Sequence, residues 1–245
     1  MQDKFNMTIE QNITLAKRSL VDAIWKSANL EGYSVTFPQT DDIFNGYVTS
    51  GVSVDAVVAI NNLKHAWQFL LANLDYPLDY AYICKLNSLV GADNLIYRAG
   101  RIREKGQEVG IGGTTWKPGI PSEKETVKEI RDAMQSSTDT DKALNILCYL
   151  MRNQTFFDGN KRTAMLAANH VLIGSGRGIL TIPIELQNDF KTKLVTFYES
   201  GQSDDLKRFL YEKCLFGQDR VEDTDEDFPF SGIHWNEVKP CRKKN

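Results

Sequence analysis

The stretch Asn153–Leu166, NQTFFDGNKRTAML, decides how this chain is read. Asp158, Gly159, Asn160, Lys161 and Arg162 follow one another between two apolar segments, DKALNILCYLMRN before and RTAMLAANHVLIG after, each of which reads as a helix. An isolated D-G-N-K-R would be a turn followed by a solvated helix start. Here the flanking helices place the charges at a buried junction. Gly159 allows a sharp turn and a close approach to the backbone. Asn160 to Thr163 then form the first turn of a helix, whose free N–H groups and dipole favour an anion. Lys161 and Arg162 add two cations, and an arginine grips phosphate oxygens in a bidentate manner. Asp158 is a hard oxygen ligand of the kind Mg²⁺ takes when phosphates supply the rest. The arrangement suits a metal-bound polyphosphate, and it is not a Walker A loop.

Outward from this loop the chain reads as mainly helical. Ile9, Ile13, Ala16, Leu20 and Ile24 predict one amphipathic helix from about Thr8 to Leu30, stopped by Gly32. YSVTFPQTDDIFNGYVTSGVS is rich in turn formers and reads as a loop with one short helix at most. VDAVVAINNLKHAWQFLLANLD and DYAYICKLNSLVG continue the helical pattern. LIYRAGRIREKGQEVGIGGTTWKPGIP mixes β-branched and aromatic residues with glycines, and predicts a β-hairpin with Lys105 and Gly106 near its tip. SEKETVKEIRDAM opens on a capping box, Ser122 with Glu125. After GRGILTIPI come two more helical patterns, ELQNDFKTKLVTFYESG and DDLKRFLYEKCLFG. The divisions expected are an N-terminal helical region at 1–75, a core at 76–216 with the hairpin at about 96–118, and a partly disordered tail at 217–245.

Composition narrows the function classes. The 245 residues carry a net charge of −3, which provides no electrostatic footprint for nucleic acid. No apolar run reaches the ~18–20 residues that span a bilayer. The four cysteines, Cys84, Cys148, Cys214 and Cys241, form no C-x-x-C pair. Reduced thiols in a cytoplasmic protein are expected, with no structural zinc.

The quoted loop resembles the motif of the Fic/Doc (Fido) family, H-x-F-x-[DE]-G-N-G-R-x-x-R. The resemblance, which covers roughly Ala16 to Leu215, implies an all-α Fic fold with one β-hairpin flap. It implies AMP transfer from ATP, with Mg²⁺, to a hydroxyl of a target protein; Doc-type members move the γ-phosphate instead. It places Phe156 at the core phenylalanine, Asp158 at the Mg²⁺ ligand, and Gly159, Asn160, Lys161, Arg162 and Thr163 around the phosphates. Three positions depart from the pattern. Gln154 stands where the catalytic histidine belongs, Lys161 replaces the second glycine as in Doc-type members, and Met165 replaces the final arginine. An amide takes up no proton near neutral pH, so a weak transferase and an inactive scaffold that binds nucleotide or a partner are both physically allowed.

SANLEG, Ser27 to Gly32, resembles the family's inhibitory motif [ST]-x-x-x-E-[GN]. The resemblance pairs Glu31 with the final arginine, which Met165 removes. Lys161 or Arg162 remain as partners, or the brake is vestigial. The hairpin resembles the family's flap, where a target segment pairs with an exposed edge; Gly110, Ile111, Gly112 and Gly113 would lie on that edge. A protein target is the implied partner. The resemblance also admits a homodimer, and no membrane or nucleic-acid partner is expected.

Overall fold

The computed structural model describes residues 1–218, so the predicted disordered tail from 219 on, with His234 and Cys241, lies outside the described residues. The centre of the molecule is a pair of antiparallel-connected helices, α7 (Asp139–Asn153) and α8 (Asn160–Gly174), joined by the loop 154–159. Nearly every residue of α8 from Asn160 to Ile173 is buried, Lys161 and Met165 excepted. A helix apolar on all sides is stable only when enclosed. It is enclosed here by α7, by α4 (Val54–Ala72) and α5 (Tyr80–Val90), and by α1 (Ile9–Arg18).

The predicted N-terminal helix is two helices, α1 and α2 (Leu20–Leu30), interrupted at Ser19, whose backbone at φ −94° and ψ 6° leaves the helical range. The two halves serve different partners: α1 lies against α8, and α2 against α3 (Phe37–Phe44) and α4. Helix α3 arises inside the segment expected to be mostly loop. Thr36 accepts from the Gln39 N–H while the Gln39 side chain accepts from the Thr36 N–H, and Pro38 sits in the first turn where its missing N–H costs nothing. At α6 (Glu123–Ala133) Ser122 accepts from the Glu125 N–H at 3.4 Å, without the reciprocal carboxylate bond that the expected box would add. Helices α9 (Gln187–Ser200) and α10 (Asp204–Phe209), the latter running into a π-turn at Leu210–Cys214, complete the shell.

The mainly helical class holds, with one two-stranded antiparallel pairing among the described residues. That pairing joins β1 (Ile179–Leu180) to β2 (Leu215–Phe216) and lies outside the predicted flap. Residues 96–118 turn at Lys105–Gly106 as expected but form no strand ladder. A single bridge links Ile102 to Phe156. Glycine at 110, 112 and 113 weakens any strand there, and the Arg103 N–H is taken by Thr155 O at 2.9 Å in the motif loop. No helix among the described residues is long and apolar enough to cross a membrane.

Candidate active site

The motif loop begins where α7 ends. Gln154 closes that helix in the left-handed conformation, φ 48° and ψ 56°, a region that costs a non-glycine residue on the order of 1 kcal/mol. Both ends of its amide are engaged. Nε2 donates to Met151 O at 2.6 Å and reaches the Tyr198 hydroxyl at 3.5 Å, while Oε1 accepts from Asn160 Nδ2 at 3.0 Å. Asn160 then ties the loop to itself, accepting from the Phe156 N–H at 2.9 Å and donating to Phe156 O at 2.8 Å. Phe156 is 1% exposed and belongs to the core.

Gly159 makes the turn into α8 with φ +75°, and a Cβ there would stand 2.8 Å from Ile96 Cδ1. The N-cap of α8 is Gly159 itself, so no capping side chain meets the first-turn N–H groups. Asp158 presents a half-open carboxylate, its side chain 59% exposed; Oδ1 accepts from the Gly159 N–H at 2.5 Å and Oδ2 lies 3.6 Å from Arg162 Nη2. Arg162 is the opposite case. It is 3% exposed, and its Nε and Nη1 are buried with no hydrogen-bond partner. A buried charged donor left unmet costs more than an ordinary hydrogen bond returns.

Thr163 is set apart from the other predicted phosphate ligands. Its hydroxyl is buried and accepts from Asn87 Nδ2 at 3.1 Å. Asn87 is a residue that sequence reasoning missed. The same Nδ2 donates to Asp158 O at 3.0 Å, and Oδ1 accepts from the Gly100 N–H at 2.7 Å, so one buried amide holds the loop, α8 and the start of the flap segment together. No local spacing signals it, since Asn87 lies 71 positions from Asp158. Tyr198 was missed too. It is buried on α9, stacked parallel to Trp116 at 5.7 Å, and burial pushes its hydroxyl far up from the ordinary range.

The segment SANLEG reaches this site. Glu31 ends α2, and its Oε2 lies 3.4 Å from Lys161 Nζ, with Glu31 12% and Lys161 34% exposed at the side chain. Its Oε1 is buried without a donor. Of the two partners left open by the sequence, the closer contact is to Lys161. Met165 lines a cavity of about 20 Å³ together with Ser27, Leu30 and Arg162, facing α2 where the resemblance expects an arginine. Gly32, exposed and at φ +91°, ends the turn. Tyr33 follows; burial raises its hydroxyl above the usual range, opposed by the nearby Arg162 cation. On the other side, Ile111, Gly112 and Gly113 line a groove of about 630 Å³ with Lys161, Lys191 and Tyr198. Gly110 has open space beside it.

Fold and site together define a helical domain whose enclosed central helix begins at a loop beside Lys161 and Arg162, overlooked by an acidic residue from the N-terminal helices. Residues 77–172 match the model of the Fic/DOC family, and the chain carries a Fic/DOC domain over that range. No curated protein sequence matches it. A solved structure of Fic-1 (residues 134–508) from C. elegans superposes with a TM-score of 0.66 over 81% of this chain, at 23% identity; this chain spans 61% of that one. A Fic domain containing signaling protein from Bacteroides thetaiotaomicron gives 0.67 at 18% identity, over 84% of this chain and 85% of that one. A Fic family protein from Desulfovibrio desulfuricans gives 0.59 at 12%, over 86% and 73%. At such identities the likeness is one of fold.

Proposed function

We propose that this chain is a Fic-type transferase that moves AMP from ATP to a hydroxyl side chain of a protein target, in a cytoplasmic setting. The observation that carries the reading is Arg162, a guanidinium held in the first turn of a buried helix with two donors unmet. An incoming anion would meet those donors and offset the cost of their burial. The residues present also fit a divalent cation. Asp158 keeps most of its carboxylate open, and among the described residues no cluster of three or more acidic, histidine or cysteine side chains competes for it. That is the donor set of Mg²⁺ bound largely through phosphate and water. Mg²⁺ held at Asp158 would neutralise charge on the phosphates.

The chain's own groups do the rest. The Asn160 backbone N–H and Arg162 receive the negative charge that builds during transfer, and the Gly159 N–H joins them once it parts from Asp158 Oδ1. Lys161 adds a second cation once it parts from Glu31. The flap segment brings the target hydroxyl to the mouth of the groove. Gln154 takes no proton, so transfer runs without a general base at that position, at a cost of ~10²–10⁴ in rate.

A second reading, a binding module without turnover, is favoured by Gln154 itself, whose amide is spent on Met151 and Asn160 within the loop. Doc-like transfer of the γ-phosphate is the alternative that Lys161 motivates. One experiment separates the three. Glu31→Gly protein is incubated with Mg²⁺ and a lysate of its own organism, with ATP labelled on the α- or the γ-phosphate, beside a version that also carries Gln154→His. Label from the α-phosphate alone supports the proposal. Label from the γ-phosphate alone, above lysate controls, replaces it with phosphoryl transfer. Label only with Gln154→His makes the natural chain a binding module.

A further inference from the structure

Arg103 is 1% exposed, and the Glu108 carboxylate is near enough to favour its charge without a hydrogen bond to it. Its guanidinium donates instead to main-chain carbonyls: Nε to Gln154 O at 2.5 Å, Nη1 to Gln107 O at 3.0 Å, and Nη2 to Gly119 O at 2.9 Å and Asn153 O at 3.4 Å. Gln107 and Gly119 bracket the flap segment. Asn153 and Gln154 are the last residue and the cap of α7. The negative end of that helix offsets the buried charge. One side chain thus closes the flap at both ends and fastens it to the motif loop.

Between those anchors the segment is tied to α9 at two places: the Thr114 hydroxyl donates to Glu199 Oε1 at 2.7 Å, and Trp116 stacks on Tyr198. Among the described residues, Glu108 to Gly113 pair with no strand, and their backbone makes only a turn at Gly112–Gly113. A hairpin would hold such an edge in place with its ladder. This flap has no ladder, so its position relative to the cradle depends on the Arg103 bonds together with the Thr114 and Trp116 contacts to α9.

We propose that Arg103 is the positioning residue that fixes the free edge 108–113 over the phosphate cradle, so that it governs capture of an extended segment of the protein target and leaves nucleotide binding alone. The target half of this statement rests on the transferase reading; the clamp does not. A guanidinium is needed because its planar fork reaches several acceptors at once, whereas an ammonium is a single point donor.

The test compares the full chain with Arg103→Lys, which keeps the charge and loses the fork. Amide hydrogen exchange at position 103 and at Gln107, whose N–H groups donate to Thr155 O and Glu104 O, is expected to rise about tenfold or more while α7 and α8 keep their protection. In transfer assays KM for the protein target rises by about tenfold, with kcat and KM for Mg·ATP within about twofold. Unchanged exchange at 103 and 107 overturns the clamp, and a parallel loss in both KM values overturns the positioning role. If Arg103→Lys does not fold, the wild type decides. Exchange of the Arg103 side-chain Nε–H is compared with that of the hydrogen-bonded Arg103 and Gln107 amides. Matching opening rates support the clamp, and amides at 103 and 107 that exchange far faster than the Nε–H refute it. If the wild type transfers nothing to protein, the transferase reading and the target half fall together, and the clamp stands or falls on the exchange data alone.

Discussion

Replacing Glu31 by glutamine tests whether the acidic residue restrains the cradle. Glu31 Oε2 and Lys161 Nζ are 3.4 Å apart, which at an effective dielectric of about 20 corresponds to a gross attraction of about 5 kcal/mol. Lys161 is 34% exposed at its side chain, so water screens the pair and both groups lose hydration; a net value of about 1–2 kcal/mol is the reasonable scale. An incoming phosphate must overcome that attraction and also face the carboxylate itself. Glu31→Gln keeps the shape and removes the charge. Its expected effect is about tenfold tighter binding of Mg·ADP, near 1.4 kcal/mol, measured by isothermal titration. Stability should fall by no more than the pair's own worth of about 1–2 kcal/mol, since Oε1 is already buried without a donor and loses nothing. The route of the effect is checked in a Lys161→Met background, where the gain should shrink to about threefold or less, since the two residues then no longer couple. Equal affinity in the wild type and Glu31→Gln, or the same gain with and without Lys161, refutes the reasoning.

Two other perturbations follow from the geometry. Gly159→Ala forces a side chain into a left-handed turn and onto Ile96 Cδ1 at 2.8 Å, so a loss of about 2–4 kcal/mol is expected by urea unfolding; Gly112→Ala, with nothing within 4 Å, is the control and should be nearly neutral. His170 is buried against the Tyr82 ring at 4.5 Å and near Asn73 O at 3.3 Å; burial lowers its pKa below 6.5, partly opposed by hydrogen bonds and by Asp75. The unfolded chain therefore binds a proton that the folded one refuses, and stability drops as pH falls below 6.5. The melting temperature of the wild type should decline faster between pH 6.5 and about pH 5.5 than that of His170→Gln, and equal slopes would count against the buried neutral imidazole.

What was legible in the sequence and what was not divides along the range of the interactions. Helices α4, α5, α7 and α8 are written in local periodicity, and the turn at Asp158–Gly159 in local chemistry. The α3 cap was equally local, Thr36 with Gln39, and the signal was there to be used. The flap misled because β-branched residues at 96–111 read as strands, whereas the fate of that backbone rests on Arg103, whose acceptor in the loop lies 51 positions away. Asn87 is hidden for the same reason. Its three bonds join segments that meet only after α5 packs on α8. The pairing of Glu31 was open between two cations because both stand on the same first turn of α8, and the choice depends on where α2 lies.

The arrangement of unmet groups at the cradle carries a last step of argument. A chain folded for stability alone would bring Glu31 and Arg162 together, since each holds a buried polar atom that lacks a partner. Instead Glu31 is drawn to the half-exposed Lys161. Arg162 is left beside the half-open carboxylate of Asp158, at 3.6 Å and by one nitrogen only. The two strongest complementary charges are thus kept apart across the mouth of α8. Gln154 and Asn160, which face the same space, are by contrast fully engaged with the loop. Donors that stay unpaired while neighbouring amides are saturated mark the place of a foreign anion, and the saturated Gln154 marks the place where proton transfer is not provided. On the proposed transferase reading, binding is therefore the more heavily built half of this site, and chemistry the half left to the nucleotide and the target.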